Sequence, residues 1–399
     1  MRRAKSARKK PYNSSQGEEM AGSLEGIKVL DLSRFIAGPV CGMLLGDMGA
    51  DVVKVERAGK GEDARAIAPK IGGESLYVMM FNRNKRSLAL DYRNAEGQQL
   101  LRDLAAKADI LIENFRPGTL EKMGCSYEEL SAINPRLIMV RISGFGQTGP
   151  HAQRPCFDVI AQAMSGLMEI TGEAGGKPVP SGAFVVDQVT GLYATVGALG
   201  ALQARERTGR GQVVDAALLD SAVTLLLTAI PEYALFGTEA TRKGARDRYS
   251  APANNYRCKD ERWIHFNAGN DALFPRLCKA AGLEHLLSDD RFATHAGRMA
   301  NADAIETIIA GWIAQHHSDD VVETLARAEV PCGKVATIAE VVTNPQLKHR
   351  EQIVDIAYPD GNVPMHGVTV KLSETANSIR RRAPSIGEHT SEVVADWLG

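Results

Sequence analysis

Ile27-Lys-Val-Leu-Asp-Leu-Ser-Arg-Phe-Ile-Ala-Gly-Pro-Val-Cys-Gly-Met-Leu-Leu-Gly-Asp-Met-Gly-Ala-Asp-Val-Val-Lys-Val-Glu-Arg57 is the stretch on which the reading of the fold turns. An apolar strand at 29–32, a helix over 38–48 stopped by Gly49, and a second strand at 52–55 make one β-α-β unit. The rhythm continues with a strand at 87–91 and a helix over 95–108 carrying Leu100, Leu101, Leu104 and Ala105. Buried-type strands at 110–112 and 137–142 follow. The alternation predicts an α/β fold with a doubly wound parallel sheet, whose ligands bind outside the carboxyl ends of its strands.

Beyond this block lie glycine-punctuated loops (144–149 and 172–182), a long helix over 187–208 broken at Gly209-Arg-Gly211, and a second apolar helix over 218–235. From 251 the character changes. A hairpin (256–258, a polar turn, 263–266) precedes helices at 272–281, 302–315 and 319–328. The pattern predicts a small α+β domain at 251–330, with linkers 236–250 and 331–334, set between the two parts (22–235 and 335–399) of a larger domain. A short helix over 391–398 closes the chain.

Composition and charge exclude several classes. The 399 residues are 44% hydrophobic and 24% charged, ordinary for a globular enzyme. A net charge of −1 leaves no nucleic-acid footprint, so no nucleic-acid partner is expected. The charge is uneven: residues 1–20 hold six bases (Arg2, Arg3, Lys5, Arg8, Lys9, Lys10) against two acids. Residues 1–21 read as a disordered basic head before an internal start at Met20, which places the protein in the cytoplasm. The alternative is a transit peptide addressed to the mitochondrial matrix, although the head lacks an amphipathic period. The six scattered cysteines read as reduced thiols, and no run reaches the length of a membrane span, so no membrane partner is expected.

Two positions carry a chemical reading. At the end of the second strand an NAD enzyme places a lone acid for the ribose diol; here Glu56 is followed by Arg57, and a cation there suits a phosphorylated ribose, as in NADP or coenzyme A. The bland alternative is a surface arginine. Asp187 follows Gly182-Ala-Phe-Val-Val186 and opens the long helix. An aspartate there serves as N-cap. It can also be chemical: the helix dipole keeps the carboxylate ionised, N–H groups hold developing charge, and the carboxylate attacks a thioester. Spacing does not separate the two. The run His316-His-Ser-Asp-Asp320 resembles metal ligands but reads better as a helix start capped by Ser318, so no metal is expected. The glycine loops lack a Walker lysine-serine pair, and the first turn lacks G-x-G-x-x-G.

Several ordered segments nevertheless match a known family. Leu24-Glu-Gly-Ile-Lys-Val-Leu-Asp-Leu-Ser33, Ala37-Gly-Pro39, the run from Leu45 to Arg57, Asn82-Arg-Asn-Lys85, Glu113-Asn-Phe-Arg-Pro-Gly118 and Ser143-Gly-Phe-Gly-Gln-Thr-Gly-Pro150 resemble class III coenzyme A transferases. So do Ala163-Met-Ser-Gly-Leu-Met168, Asp187-Gln-Val-Thr-Gly191, Thr208-Gly-Arg-Gly-Gln212, Ala268-Gly-Asn-Asp271 and Gly387-Glu-His-Thr390. The likeness is to the formyl-CoA and carnitine-CoA transferase type and runs from Leu24 to the end of the sequence.

The resemblance implies a Rossmann-like large domain built from both chain ends, an inserted small domain and an interlaced homodimer. It implies CoA transfer from an acyl-CoA, succinyl-CoA being one candidate, to a carboxylic acid through aspartyl anhydride and aspartyl-CoA thioester intermediates on Asp187. Coenzyme A enters as substrate, with no tightly bound cofactor. Residues matching the family's CoA contacts are Ile36, Ala37, Arg57, Leu90, Tyr92, Arg93, Asn114, Phe115, Arg116 and Lys122. Lys122 stands where an arginine is common, replacing a planar fork by a point charge. Ile36 stands where formyl-CoA transferases carry glutamine, which argues against oxalate and formate. The rival inside the superfamily is an α-methylacyl-CoA racemase, whose His-Asp dipeptide is Phe157-Asp158 here; phenylalanine relays no proton. Rivals outside it are a silent acyl-CoA-binding module and an NADP-dependent reductase.

Overall fold

A computed structural model describes residues 22–399, so the basic head at 1–21 lies outside the described residues. Its centre is a six-stranded sheet: β1 (Lys28–Asp31), β2 (Asp51–Glu56), β3 (Lys85–Ala89), β4 (Ile110–Glu113), β5 (Ile138–Ser143) and β6 (Val213–Ala217). Every pairing is parallel, and the spatial order is β3-β2-β1-β4-β5-β6, that of doubly wound nucleotide-binding sheets. Val29, Leu30, Val52, Val53, Ile110, Leu111 and Ile112 are fully sealed, as strands covered on both faces require.

Helix α1 (Ala37–Asp47) follows β1 and α2 (Ala95–Ala105) follows β3. The side chain of Asn94 caps α2, and its Leu101, Leu104 and Ala105 enter the core. Further on come α3 (Asp158–Ser165) and the long α4 (Val185–Thr208), which ends at Gly209 in a left-handed conformation. Helix α4 is long and apolar enough to match a bilayer by length and composition, although the sequence offered no such run. One face of it is buried, with Ala194, Ala198 and Ala201 sealed and Gly191 against α1, while Leu192, Tyr193 and Val196 on the other face are exposed.

The chain divides into two compact units, one comprising 22–165, 182–226 and 345–399 and the other 166–181 and 227–344. The loop 166–181 and residues 227–235 and 335–344 therefore group with the second unit, whereas the sequence reading put them in the large domain. Of the expected linker 331–334, Cys332–Lys334 is a strand paired to Trp263–Asn267 in that unit's sheet. The apolar run at 218–235 is also not one helix. It breaks after Leu226 and resumes as a separate helix, Ala229–Phe236. The second unit holds a three-stranded antiparallel sheet containing the expected hairpin, Ala253–Arg257 with Trp263–Asn267. Ser318 is the first helical residue rather than the cap; its N–H and hydroxyl both donate to Asp260 in the hairpin turn.

The motif Asn82-Arg-Asn-Lys85 is a buried polar knot. Lys85 Nζ donates to Asp31 at 2.8 Å, to the Pro39 carbonyl and to Asn82, while Arg83 forks onto Asp47 at 3.0 and 2.7 Å. Lys85 and Asp31 are both completely buried, so each charge depends on the other. Lys85→Met removes the ion-pair partner of buried Asp31, leaving it the Ser33 bonds and the charge of Lys54, and is expected to cost about 3–5 kcal/mol in urea unfolding.

Candidate active site

The strand order reverses between β1 and β4, and the loops leaving these two parallel strands meet there. The Asn114 side chain clamps them, accepting from the Arg34 N–H at 2.8 Å and donating to the Arg34 carbonyl at 2.7 Å. The Arg34 guanidinium lies over the Phe115 ring, and Phe35 adopts φ +64 with its N–H donating to Glu62. Glu62 in turn pairs with buried Lys54.

The residues matching CoA contacts all follow carboxyl ends of strands. Ile36 is the N-cap residue of α1 and Ala37 its first residue, both buried. Leu90 and Phe115 are buried, Tyr92 packs on Phe115 at 6.4 Å between ring centroids, and Asn114 is committed to the clamp. Arg93, Arg116 and Lys122 are exposed, and Arg93 pairs with its neighbour Asp91. Ile36, Ala37, Asn114 and Phe115 come together; no described contact joins Arg93 or Lys122 to them.

The Glu56-Arg57 argument takes a different form in three dimensions. Glu56 is sealed and gripped by Arg65 through two 2.7 Å bonds, with Ser87 and the Glu62 N–H completing its partners. Its carboxylate is structural. Arg57 turns to Asp63 at 2.8 Å, an acid it shares with Arg34, and remains part-exposed.

Asp187 is not the N-cap of α4. That position is Phe184, and Asp187 occupies the third helical residue. Its N–H, one of the unsatisfied donors of a helix start, donates to Oδ2 of Asp158 at 2.9 Å. Asp158 opens α3, is 1% exposed and holds Gln162 through its other oxygen. No hydrogen bond or ion pair is described for the Asp187 carboxylate itself. Burial first, then the charge of Asp158, pushes it up to about 7. The expected ionising effect of the helix dipole is therefore outweighed.

Two further groups lie within electrostatic reach. Burial and the charges of Asp187, Glu62 and Asp158 push the Tyr77 phenol up to about 12. Burial and the same two aspartates push the Cys156 thiol up to about 11, so it offers no competing thiolate near neutral pH. Sequence reasoning met Asp158 only as half of the Phe157-Asp158 dipeptide. Tyr77 carried no signal at all. Phe157 stands 63% exposed and meets Phe35 edge-on at 5.7 Å between centroids.

Gly191 explains the Asp-x-x-x-Gly spacing. A Cβ there would lie 2.8 Å from the Ala37 carbonyl oxygen and 2.7 Å from Val40, so only glycine lets α4 cross the start of α1. Asp187, one turn earlier on the same helix face, is thereby carried toward the β1 loop.

Comparison with known proteins gives the family and the fold. The sequence model of CoA-transferase family III matches residues 24–390. The chain belongs to this family. A succinyl-CoA–D-citramalate CoA-transferase from Chloroflexus aurantiacus is 39% identical over 378 residues, 94% of either chain. The human succinyl-CoA:glutarate CoA-transferase is 35% identical over 94% of this chain and 86% of its own. A CAIB/BAIF family protein from Brucella suis superposes with a TM-score of 0.84 at 37% identity, covering 94% of this chain and 100% of that one. This family III member is thus an acyl-CoA:carboxylate CoA-transferase, with the mixed α/β fold and parallel central sheet of its relatives.

Two outcomes are expected. Gly191→Val forces α4 off α1 and costs about 1–3 kcal/mol, with a lower transfer rate at saturating substrate. Asp187→Asn removes a carboxylate whose proton is held more tightly in the fold than in the unfolded chain. The variant is therefore expected to be more stable to unfolding than wild type at pH 8, by about 2 kcal/mol after solvent screening. That gain shrinks as pH falls from 7 toward 4, where the wild-type fold takes up its proton.

Proposed function

We propose that this CoA-transferase takes CoA from a dicarboxylic acyl thioester, succinyl-CoA in the first instance, and passes it to a second carboxylic acid through covalent intermediates on Asp187. The observation that carries the reading is the Asp187 carboxylate: part-buried, without a cation, and basic enough to be a competent nucleophile while still ionised above neutrality. The donor rests on the relatives' names, since both the Chloroflexus and the human protein are named for succinyl-CoA.

Asp187 attacks the acyl carbonyl of the donor and expels the CoA thiolate, leaving a mixed anhydride. The thiolate then attacks the aspartyl carbonyl and releases the donor acid, which leaves an aspartyl-CoA thioester. The acceptor carboxylate displaces CoA by the same route, and thiolate attack on the acceptor carbonyl returns free Asp187. The start of α1 and the Phe115 loop would hold the CoA body, with part-exposed Arg57 and the exposed cations Arg93, Arg116 and Lys122 toward its phosphates. The Tyr77 phenol keeps its proton and can donate to negative charge developing near Asp187.

A homodimer is part of the same reading. Leu192, Tyr193 and Val196 on α4 are 48–65% exposed, and no residue of the helix Ala229–Phe236 is buried. Apolar faces of this kind are covered by a second copy in obligate dimers.

The decisive experiment is succinyl transfer to a panel of carboxylic acids, followed as new CoA esters. Asp187→Ala is expected to lower kcat by about a thousandfold or more with the fold retained. Unchanged transfer by that variant overturns the assignment. Because the ionised form attacks, kcat is expected to fall on the acid side with a midpoint near 7, about tenfold per pH unit below it.

A further inference from the structure

Asp187 sits where a carboxylate is ordinarily stabilised. The first turn of a helix offers unpaired N–H groups and partial positive charge, and both lower proton affinity. Here the opposite is built. The N–H of Asp187 is withdrawn by Asp158 at 2.9 Å, and a second carboxylate is sealed beside the first at 1% exposure. An asparagine would accept the same N–H without placing a charge there, so the hydrogen bond alone does not account for an acid at this position.

We propose that Asp158 is a positioning residue for CoA transfer, whose carboxylate takes the helix-start N–H and sets a negative charge against Asp187, so that the aspartyl-CoA thioester is favoured over the free enzyme. The proposal rests on the reading of Asp187 as the nucleophile. The net exchange is balanced: the donor's acyl–sulfur bond breaks, an aspartyl–sulfur bond forms, and the negative charge passes from Asp187 to the released acid. Charge settles on the weaker base, so the more basic carboxylate keeps the thioester. An ordinary carboxylic acid titrates at about 4, and Asp187 is pushed up to about 7 by burial and by Asp158. Covalent enzyme is therefore favoured by about tenfold for each pH unit that separates the two acids.

The groups facing Asp187 are consistent with this. Helix α3 presents Asp158, the loop before it presents Cys156, and the short helix Leu76–Phe81 presents Tyr77 with Glu62 beyond. Tyr77 and Cys156 stay protonated near neutral pH, and Glu62 is a further carboxylate paired to Lys54. None of the four supplies a cation.

The test is Asp158→Asn, with Asp158→Glu as the charge-preserving partner and thermal melts to confirm folding. Each protein is incubated at a fixed succinyl-CoA to succinate ratio, and the fraction carrying covalent CoA is read by intact mass. The acid-side midpoint of kcat is measured in parallel. In Asp158→Asn the midpoint is expected to move below the wild-type value, and the ratio of covalent to free enzyme to fall by about tenfold per pH unit moved. Asp158→Glu is expected to restore both toward wild type.

A slower Asp158→Asn enzyme with an unmoved midpoint and an unchanged covalent fraction overturns the proposal and leaves the nucleophile standing. Wild-type protein that transfers CoA without ever carrying it overturns both. If Asp158→Asn does not fold, Asp158→Ser takes its place with the same two readouts, since it also removes the charge.

Discussion

The crossing of α4 over the start of α1 is the contact on which the site depends. At Gly191 a Cβ would collide with the Ala37 carbonyl, so the two helices touch backbone to backbone. That approach ties the residue one turn upstream, Asp187, to the place where the β1 and β4 loops meet under the Asn114 clamp. A parallel sheet creates the crevice at its switch point, and the helix crossing brings a carboxylate to it.

Charge is sorted between structure and chemistry. The buried cations are committed: Lys85 to Asp31, Arg83 to Asp47, Arg65 to Glu56. None is spare for a phosphate or for Asp187. Arg93, Arg116 and Lys122 are open to solvent on the loops and short helix after the strands, where an anionic cofactor of CoA's size would approach. Overall charge is −1 and contributes no steering, so recruitment falls to these local groups. The carboxylates Asp158 and Asp187 meanwhile sit together without a cation, an arrangement that raises basicity at the price of some stability.

Much of this was legible in the sequence. The β-α-β rhythm gave the parallel sheet because doubly buried strands read as unbroken Val/Ile/Leu runs. The hairpin and the helices of the second unit were marked by turn residues and amphipathic spacing. Long-range pairings were not legible. Glu56 looked like the start of a ribose-binding argument until Arg65, nine residues on, claimed its carboxylate. Asp187 passed for an N-cap because pattern reading places a helix start only to within a few residues, and the true cap is Phe184. The apolar run at 218–235 hid a break, since apolar composition alone does not fix helix continuity. Asp158 drew notice for its neighbour Phe157, while its actual partner is the backbone of a residue 29 positions away.

The central claim is that CoA passes through a covalent bond to Asp187. Hydroxylamine added to protein incubated with succinyl-CoA converts an aspartyl thioester or anhydride into a hydroxamate, which peptide mass spectrometry locates. The account predicts a hydroxamate on Asp187, dependent on succinyl-CoA. Active transfer with the label on another side chain, or with no label on any peptide, would contradict it.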